Sequence, residues 1–243
     1  MPLPSPSDQR RIAAILDNAA ELRAKRRAAI AQLDTLTQSI FLEMFGDPLI
    51  NSRKWPMGRL DSLGTLDRGT SKHRPRNAPE LLGGPYPFVQ TGDVASSDGY
   101  LRRCSTTYSE AGLRQSKMWP AGTLCITIAA NIAKTGILMI DACFPDSVVG
   151  FKSGDRATVE FVRASVSFVR AALEDKAPES AQKNINLEIL RSLRLPIPPA
   201  EARREFAACV EKAEKQKHLH MQSANELDAV FASLQHRAFR GEL

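Results

Sequence analysis

Two long amphipathic helices are predicted at the ends of the chain by the spacing of its apolar residues. After Ser7, apolar or small side chains recur every three or four positions, which draws one stripe along a helix. The stripe comprises Ile12, Ile15, Ala19, Leu22, Ala29, Leu33, Leu36 and Ile40. We expect Ser7 to cap this helix and Gly46, Asp47 and Pro48 to end it.

The second helix is predicted to follow Pro198 and Pro199. Its apolar positions are Phe206, Cys209, Ala213, Leu227, Val230 and Leu234. Both stripes are narrow, which fits a coiled-coil seam better than burial in a thick core. We expect the two helices to pair antiparallel, with polar positions near the middle of the seam at Arg26, Gln216 and His220.

The two terminal segments also resemble each other in sequence. A shift of 194 positions aligns residues 2–45 with 196–239 without a gap and gives ten identities. Any two heptad helices share some residues, but the common proline lead-in and the gapless alignment favour a true internal repeat.

Residues 47–197 lack this helical pattern and predict a mixed domain. Short apolar runs bounded by Gly, Pro, Asp and Asn predict strands at 87–89, 123–128, 137–140 and 147–151. Helices are predicted at 161–173 and 186–192. The fold class is therefore α+β, with one mixed α/β domain (47–197) between two long helices (1–46 and 198–243) that pair as an antiparallel coiled-coil hairpin.

The composition is that of an ordinary globular protein, with 43% hydrophobic and 25% charged residues among 243. No apolar run approaches the roughly 18–20 residues of a membrane-spanning helix, and the N-terminus has no secretory pattern. The four cysteines are scattered without metal-ligand spacing, so we expect no metal site and no disulfides. These features together predict a cytoplasmic protein without a membrane partner.

The positive charge lies almost wholly in the middle domain. The chain has a net charge of +6; residues 47–197 hold 20 basic and 15 acidic side chains, whereas the two flanking segments are nearly balanced. The richest stretch, residues 68–77, contains four Arg or Lys residues, one His and no acid. Its Gly, Pro and Asn residues predict a loop.

This loop has the side chains that nucleic-acid binding requires. Lys and Arg neutralise phosphates, and Arg, Lys, Asn and Gln also read base edges in the major groove. The alternative is a solvated basic loop with no ligand. Because aromatic residues make up only 6% of the chain and are not interleaved with basic ones, stacking on single strands is disfavoured.

Motifs for catalysis are mostly missing from the sequence. It contains no phosphate-binding Gly-rich loop, no dinucleotide fingerprint, no Gly-x-Ser-x-Gly elbow and no Asn/Asp-Pro-Pro-Tyr/Phe tetrapeptide. One nuclease-like pattern exists: Pro145-Asp146 followed by Glu174-Asp175-Lys176. Such carboxylates hold Mg²⁺ in nucleases. Here the second half ends a predicted helix rather than lying in a strand.

Several motifs, in order along the chain, resemble the specificity subunit of type I restriction-modification enzymes. The segment 87–93 (PFVQTGD) is similar to the family's strand-and-turn motif, and 121–137 to its Gly-Thr-hydrophobic…Gly-Lys-x-Gly-Ile stretch. Residues 182–185 (QKNI) and 195–199 (LPIPP) resemble the end of a target recognition domain and its exit into a helix. The closing 237–243 (RAFRGEL) is typical of the family.

The resemblance implies a subunit without catalysis of its own that recognises double-stranded DNA. Methyltransferase (modification) subunits would bring S-adenosylmethionine, and motor-nuclease (restriction) subunits would bring ATP and Mg²⁺, so this chain itself needs no cofactor. By analogy, the expected DNA contacts are Arg68, Thr70, Ser71, Lys72, His73, Arg74, Arg76, Arg102, Arg103, Asn131, Lys134 and Lys183. Two roles stay open for the motif residues Gln90, Thr91 and Asp93: they either contact DNA or only stabilise the turn.

The chain departs from the family's full-length pattern, which has two recognition domains each followed by a long helix. Here a single domain lies between two helices, so the resemblance implies the reading of one half of a bipartite site. A second copy or a partner half would complete the site, whether the chain is a separated half, a truncated product or a fragment. The rival hypothesis is a helical-hairpin scaffold that binds partners without sequence-specific DNA recognition.

Overall fold

A computed structural model describes residues 5–175 and 185–240. The chain divides into two compact units. One combines the chain up to Ile40 with the chain from Ala208 onwards, and the other covers Phe41–Ala207. None of the described helices is both long and apolar enough to cross a membrane. The domain boundaries at 46/47 and 197/198 stay a prediction.

The described part of the chain contains both helices and short strands. The α-helices are α1 (Pro6–Phe45), α2 (Thr91–Ser96), α3 (Glu110–Arg114), α4 (Arg156–Asp175), α5 (Leu187–Arg191) and α6 (Ala200–Arg240). The strands are β1 (Met57–Arg59), β2 (Thr65–Arg68), β3 (Leu82–Phe88), β4 (Tyr100–Leu101), β5 (Thr106–Tyr108), β6 (Met118–Trp119), β7 (Leu124–Thr127), β8 (Thr135–Leu138), β9 (Ala142–Cys143), β10 (Val148–Lys152) and β11 (Arg194–Pro196). Single 3₁₀ turns lie at Leu60–Ser62 and Pro79–Leu81.

The long helices α1 and α6 pair antiparallel, as predicted. Arg23 bonds Asp228 through Nε and lies 4.3 Å above the ring of Phe231, while Arg26 lies 2.6 Å from Nδ1 of His220. Arg26 lies after Arg23 in α1, whereas its partner His220 lies before Asp228 in α6. This order is that of two antiparallel helices. A guanidinium has only hydrogen-bond donors, so Arg26 is the donor in this contact. Two of the three predicted polar positions, Arg26 and His220, thus meet in the seam.

Several details of the helix prediction were wrong by one or two positions. The cap is Ser5, whose Oγ accepts from the backbone N–H of Asp8 at 3.2 Å, with Pro6 in the first helical position. Leu22 and Leu36 are 54% and 40% exposed. The half-buried positions beside them are Arg23 and Thr37.

The same displacement occurs in α6. Cys209 is exposed, Val230 is 52% exposed, and Gln216 is also exposed. The more buried neighbours are Val210, Lys217 and Phe231. The prediction assigned only apolar residues to the seam. The aliphatic stems of long polar side chains also pack there.

The middle unit is built on three sheets among the described residues. The largest has the order β2-β10-β7-β8-β4, antiparallel except for the parallel pair β8/β4. A second sheet has the order β5-β3-β9-β6, and β1 pairs with β11. The four predicted strands and the two predicted helices correspond to β3, β7, β8, β10, α4 and α5.

An aromatic cluster packs α4 onto the neighbouring helix ends. The ring of Phe41 stacks on Phe161 and Phe168 at centroid distances of 5.8 and 4.8 Å and meets Phe206 edge-on at 5.6 Å. Phe45 also meets Phe161 edge-on at 5.2 Å. Such pairs contribute about 0.5–1.5 kcal/mol each beyond their buried area.

The start of α4 is fixed by a side-chain cap. Oδ1 of Asp155 accepts from the backbone N–H of Ala157 at 3.1 Å, and Oδ2 accepts from the Thr158 hydroxyl at 2.9 Å. Partial burial acts to raise the pKa of Asp155, but these hydrogen bonds and the charge of Arg203 outweigh it and hold that pKa below its usual value. The ionised carboxylate is thus the form that stabilises the fold.

We expect Asp155→Ala to lower the free energy of unfolding by about 0.5–2 kcal/mol at neutral pH, because a helix cap is lost. The depressed pKa means that the stabilisation is present above the unfolded-state pKa and is lost as the pH falls through the folded-state value. Urea unfolding between pH 3 and 7 measures both effects. Asp155→Asn is the control, because it keeps the cap without titrating. Equal pH dependence in wild type and Asp155→Asn would contradict this assignment.

Candidate nucleic-acid interface

The basic loop (residues 68–77) leaves β2 through a tight backbone contact with residues 144–148, which follow β9 and include the first residue of β10. The N–H of Gly69 donates to Val148 O at 2.9 Å, and the N–H of Thr70 donates to Phe144 O at 3.0 Å. A Cβ at Gly69 would clash with the carbonyl oxygens of Phe144 and Pro145. Glycine is therefore required here by close backbone approach.

The other side of the loop is tied to residues 115–116. Oγ of Ser116 donates to Thr70 O at 2.6 Å, and the N–H of His73 donates to Oε1 of Gln115 at 2.9 Å. Ser71 and Ser116 form an isolated antiparallel bridge. The loop is thus held from two sides before any ligand arrives.

Ser71 is buried, unlike Lys72 and Arg74 of the same loop. Its side chain is buried at 4% exposure, and its Oγ lies 3.1 Å from the hydroxyl of Tyr108, whose ring stacks on Phe88. A buried hydroxyl that already has a partner is not placed to meet DNA. We therefore assign Ser71 to the packing of the loop rather than to DNA contact.

Three arginines of the basic loop converge on Asp146. Arg68 donates through Nε to Asp146 O at 2.9 Å, Nη2 of Arg74 lies 3.3 Å from Oδ2, and Nη2 of Arg76 bonds Oδ1. Arg74 also donates through Nη1 to the carbonyl oxygens of Ser71 and His73 at 2.5 and 2.8 Å. One carboxylate thus orients two guanidinium groups.

These charged groups remain open to solvent. The side chains of Arg74, Arg76 and Asp146 are 53%, 37% and 39% exposed, and Lys72 is exposed beside them. The exposed parts of these two guanidinium groups therefore lie within reach of a large ligand, although Asp146 offsets one of their charges.

A cavity of about 510 Å³ adjoins this cluster. Its polar lining includes Arg68, Arg76, Thr91, Asp146 and Asn186, and Ile128, Ile185 and Ile189 supply apolar surface. Ala129 and Ala130, from the loop between β7 and β8, complete one edge. The structure thus brings the basic loop together with residues about 60 and 110 positions further along the chain.

Gln90 and Asp93 of the Gln90-Thr91-Gly92-Asp93 motif lie at the start of α2, where they are bonded to each other and to the residues around them. Asp93 accepts from the backbone N–H of Gln90 at 2.8 Å and from that of Ser105 at 3.0 Å, and Nε2 of Gln90 donates to Thr106 at 3.0 Å. Only Thr91 of this motif lines the cavity. These hydrogen bonds favour the structural alternative for Gln90 and Asp93.

The remaining predicted contacts occupy other loops. Asn131 and Lys134 lie in the β7–β8 loop, where the Asn131 carbonyl accepts from the Thr127 hydroxyl and the Lys134 N–H donates to the same hydroxyl at 3.0 Å. Arg102 pairs with Asp98 at 3.1 Å, and Arg103 is exposed. None of these lines the cavity. Lys183 lies outside the described residues.

The nuclease-like pattern does not assemble a site in the described residues. Asp146 is engaged by arginines, the second half of the pattern falls at the end of α4, and Lys176 lies outside the described residues. No three metal-ligating side chains come together in residues 5–175 and 185–240.

Among the polar residues of the cavity, the contact prediction missed Asp146, Ser147 and Asn186. Asp146 is 70 residues from Arg76, and only the nuclease-like pattern had drawn attention to it. Asn186 caps α5 by accepting from the N–H of Ile189 at 2.8 Å. The sequence placed Asn186 only as the first residue of a predicted helix, which did not indicate a site.

Comparison with known proteins identifies the family. Residues 52–229 match the family model described as type I restriction modification DNA specificity domain. The chain belongs to this family. The matched residues include the basic loop, the residues that line the cavity and much of α6. The candidate interface therefore lies within the part of the chain that the family model matches.

Solved structures show the same fold. A chain from work on complex assembly and conformational transition of the type I R-M system matches all of this chain with 21% identity and a TM-score of 0.66. The HsdS subunit from Thermoanaerobacter tengcongensis matches all of it with 20% identity and a TM-score of 0.57. The type I restriction-modification S subunit from M. genitalium matches 92% of it with 12% identity and a TM-score of 0.55.

The chain is shorter than these structures. It spans 62%, 60% and 56% of their respective lengths. The expected mixed α/β fold with a long helix at each end is confirmed by the two structures that match all of this chain.

We expect Gly69→Ala to lower the free energy of unfolding by about 1–3 kcal/mol, because its methyl group overlaps two backbone carbonyl oxygens. Urea unfolding measures the loss. The matched control is Gly154→Ala, where a Cβ meets nothing within 4 Å, and the expected change is within about 0.5 kcal/mol. Equal stabilities of the two variants would show that the loop is not held by this contact.

Proposed function

We propose that this chain is a sequence-specific double-stranded DNA recognition subunit of a type I restriction-modification complex. The observation that carries the proposal is the basic loop, which is fixed from two sides and presents Lys72, Arg74 and Arg76 on an accessible surface. Family membership supports the same function.

The loop fits DNA because its cations are already positioned. Ordering an exposed long side chain on binding costs about 0.5–1.5 kcal/mol, and a guanidinium that is already oriented avoids part of this cost. Lys72 suits a phosphate as a point charge, whereas the planar groups of Arg74 and Arg76 suit base edges. The other residues that stay proposed as DNA contacts are Thr70, His73, Arg68, Arg102, Arg103, Asn131, Lys134 and Lys183.

One half of a bipartite site is the proposed target. The chain carries one mixed domain and spans about 60% of the length of the structures it matches. A second copy or a partner half would read the other half-site.

The long helices supply a proposed docking surface for methyltransferase subunits, and motor-nuclease subunits would join the same complex. In this arrangement the chain itself is not catalytic. S-adenosylmethionine, ATP and Mg²⁺ would be bound by the partner subunits. Recognition would thus belong to the middle unit, and assembly to α1 and α6.

Sequence preference is the first expected property of such a subunit. The full chain, alone and with methyltransferase subunits, is expected to enrich one short motif from a pool of random duplexes. Each mismatch in that motif should reduce affinity by about 1–3 kcal/mol. A pool that stays random under both conditions contradicts sequence-specific recognition and favours the scaffold hypothesis.

The cations of the basic loop should also determine how strongly DNA binding depends on salt. Replacing Lys72, Arg74 and Arg76 together with Ala should weaken duplex binding. The slope of log affinity against log salt should fall by roughly one for each phosphate that the variant no longer neutralises. Affinity measured at several salt concentrations gives the slope.

The matched control removes the same charge from the exposed surface of the long helices. It replaces Arg10, Lys25 and Arg204 with Ala. We expect this control to leave the slope nearly unchanged. Equal slopes for the two triple variants would place the DNA-binding surface somewhere other than the basic loop.

A further inference from the structure

Asp146 is an acidic residue at the centre of the proposed DNA surface. Its carbonyl and its two carboxylate oxygens each meet a different arginine of the basic loop. A carboxylate here is unfavourable for a surface that only neutralises phosphates, because it subtracts one charge and repels the backbone of DNA.

The carboxylate is not needed to hold the segment in place. Phe144 is fully buried and stacks on Trp119 at a centroid distance of 4.8 Å, and the backbone carbonyls of Phe144 and Val148 already hold Gly69 and Thr70. The side chain of Asp146, in contrast, is 39% exposed. Its role therefore lies at the surface, with the arginines.

We propose that Asp146 is a specificity-determining residue: it aims Arg74 and Arg76 at base edges and suppresses their contact with phosphates. This inference rests on the proposed DNA-recognition function and deepens it. Among the described residues, Nε of Arg76 is one of the buried nitrogen atoms without a hydrogen-bond partner, so it is closed to a base, and only the exposed part of this guanidinium can reach one.

The chemistry of the cluster selects a particular base pair. Guanine presents the O6 and N7 acceptors to an arginine, and its partner cytosine presents an N4 amino donor to a carboxylate. An ionised carboxylate has about four lone-pair sites, so about two remain on Asp146 after Arg74 and Arg76 are bonded. A G·C pair in the major groove thus complements the arginine–aspartate cluster on both bases.

The test compares Asp146→Asn with wild type on two duplexes, the motif that wild type selects from a random pool and a scrambled duplex of equal length. We expect Asp146→Asn to bind the scrambled duplex more tightly, with a salt slope about one unit steeper, because one carboxylate no longer opposes phosphates. The ratio of specific to scrambled affinity should fall about tenfold, and one G·C position should become degenerate in a repeated selection.

Two further variants separate the role of the carboxylate from general effects. Asp67→Asn removes the same charge one residue before Arg68, where Asp67 pairs with Arg191 at 3.7 Å, and it should leave the ratio within about twofold of wild type. Asp146→Glu keeps the charge but displaces it, so the ratio should fall while the salt slope stays unchanged. Thermal unfolding of each variant identifies any loss that arises from misfolding.

The outcomes distinguish this inference from the function on which it rests. If wild type selects a motif and Asp146→Asn keeps both the ratio and the G·C preference, Asp146 is not a specificity residue although DNA recognition stands. If wild type selects no motif, the proposed function fails and the inference fails with it. If Asp146→Asn unfolds, Asp146→Glu provides the test. A lower ratio of specific to scrambled affinity in Asp146→Glu supports the inference, and an unchanged ratio overturns it.

Discussion

The backbone contact between Gly69–Thr70 and the segment 144–148 is the constraint on which the candidate site depends. It joins the end of β2 to the turn between β9 and β10, so that the first residues of the basic loop and the carbonyl of Asp146 are fixed together. Buried Phe144 anchors one side of this contact, and only glycine fits on the other. The arginine cluster follows from this arrangement, because the loop then carries its guanidinium groups to Asp146.

Much of the fold could be predicted from the sequence, because its main elements have local signals. The proline-led apolar stripes indicated α1 and α6, and short apolar runs between turn residues indicated β7, β8 and β10. The errors were also local: Leu22 and Val230 were placed in the seam because they are apolar, whereas Arg23 and Phe231 lie there. Seam positions depend on the geometry of both helices, which a single helical pattern does not contain.

The candidate site could be predicted only in part, because its charges come from distant segments. The basic loop was evident from four cations without an acid, but the acid that organises it lies 70 residues away from Arg76. The burial of Ser71 against Tyr108 was equally hidden, since it depends on packing between β3, β5 and the loop. The internal repeat of the two helices stays a prediction.

The proposed function divides two tasks between the parts of this type I restriction modification DNA specificity domain. The middle unit reads DNA through the basic loop, whose arginines pair with Asp146, and the paired helices carry the assembly. The most direct measurement is a structure of the chain bound to its selected duplex. We expect residues 68–77 to enter the major groove, with Arg76 and Asp146 within about 3 Å of the edges of one G·C pair. A complex in which this loop faces away from the DNA would contradict the proposed mode of recognition.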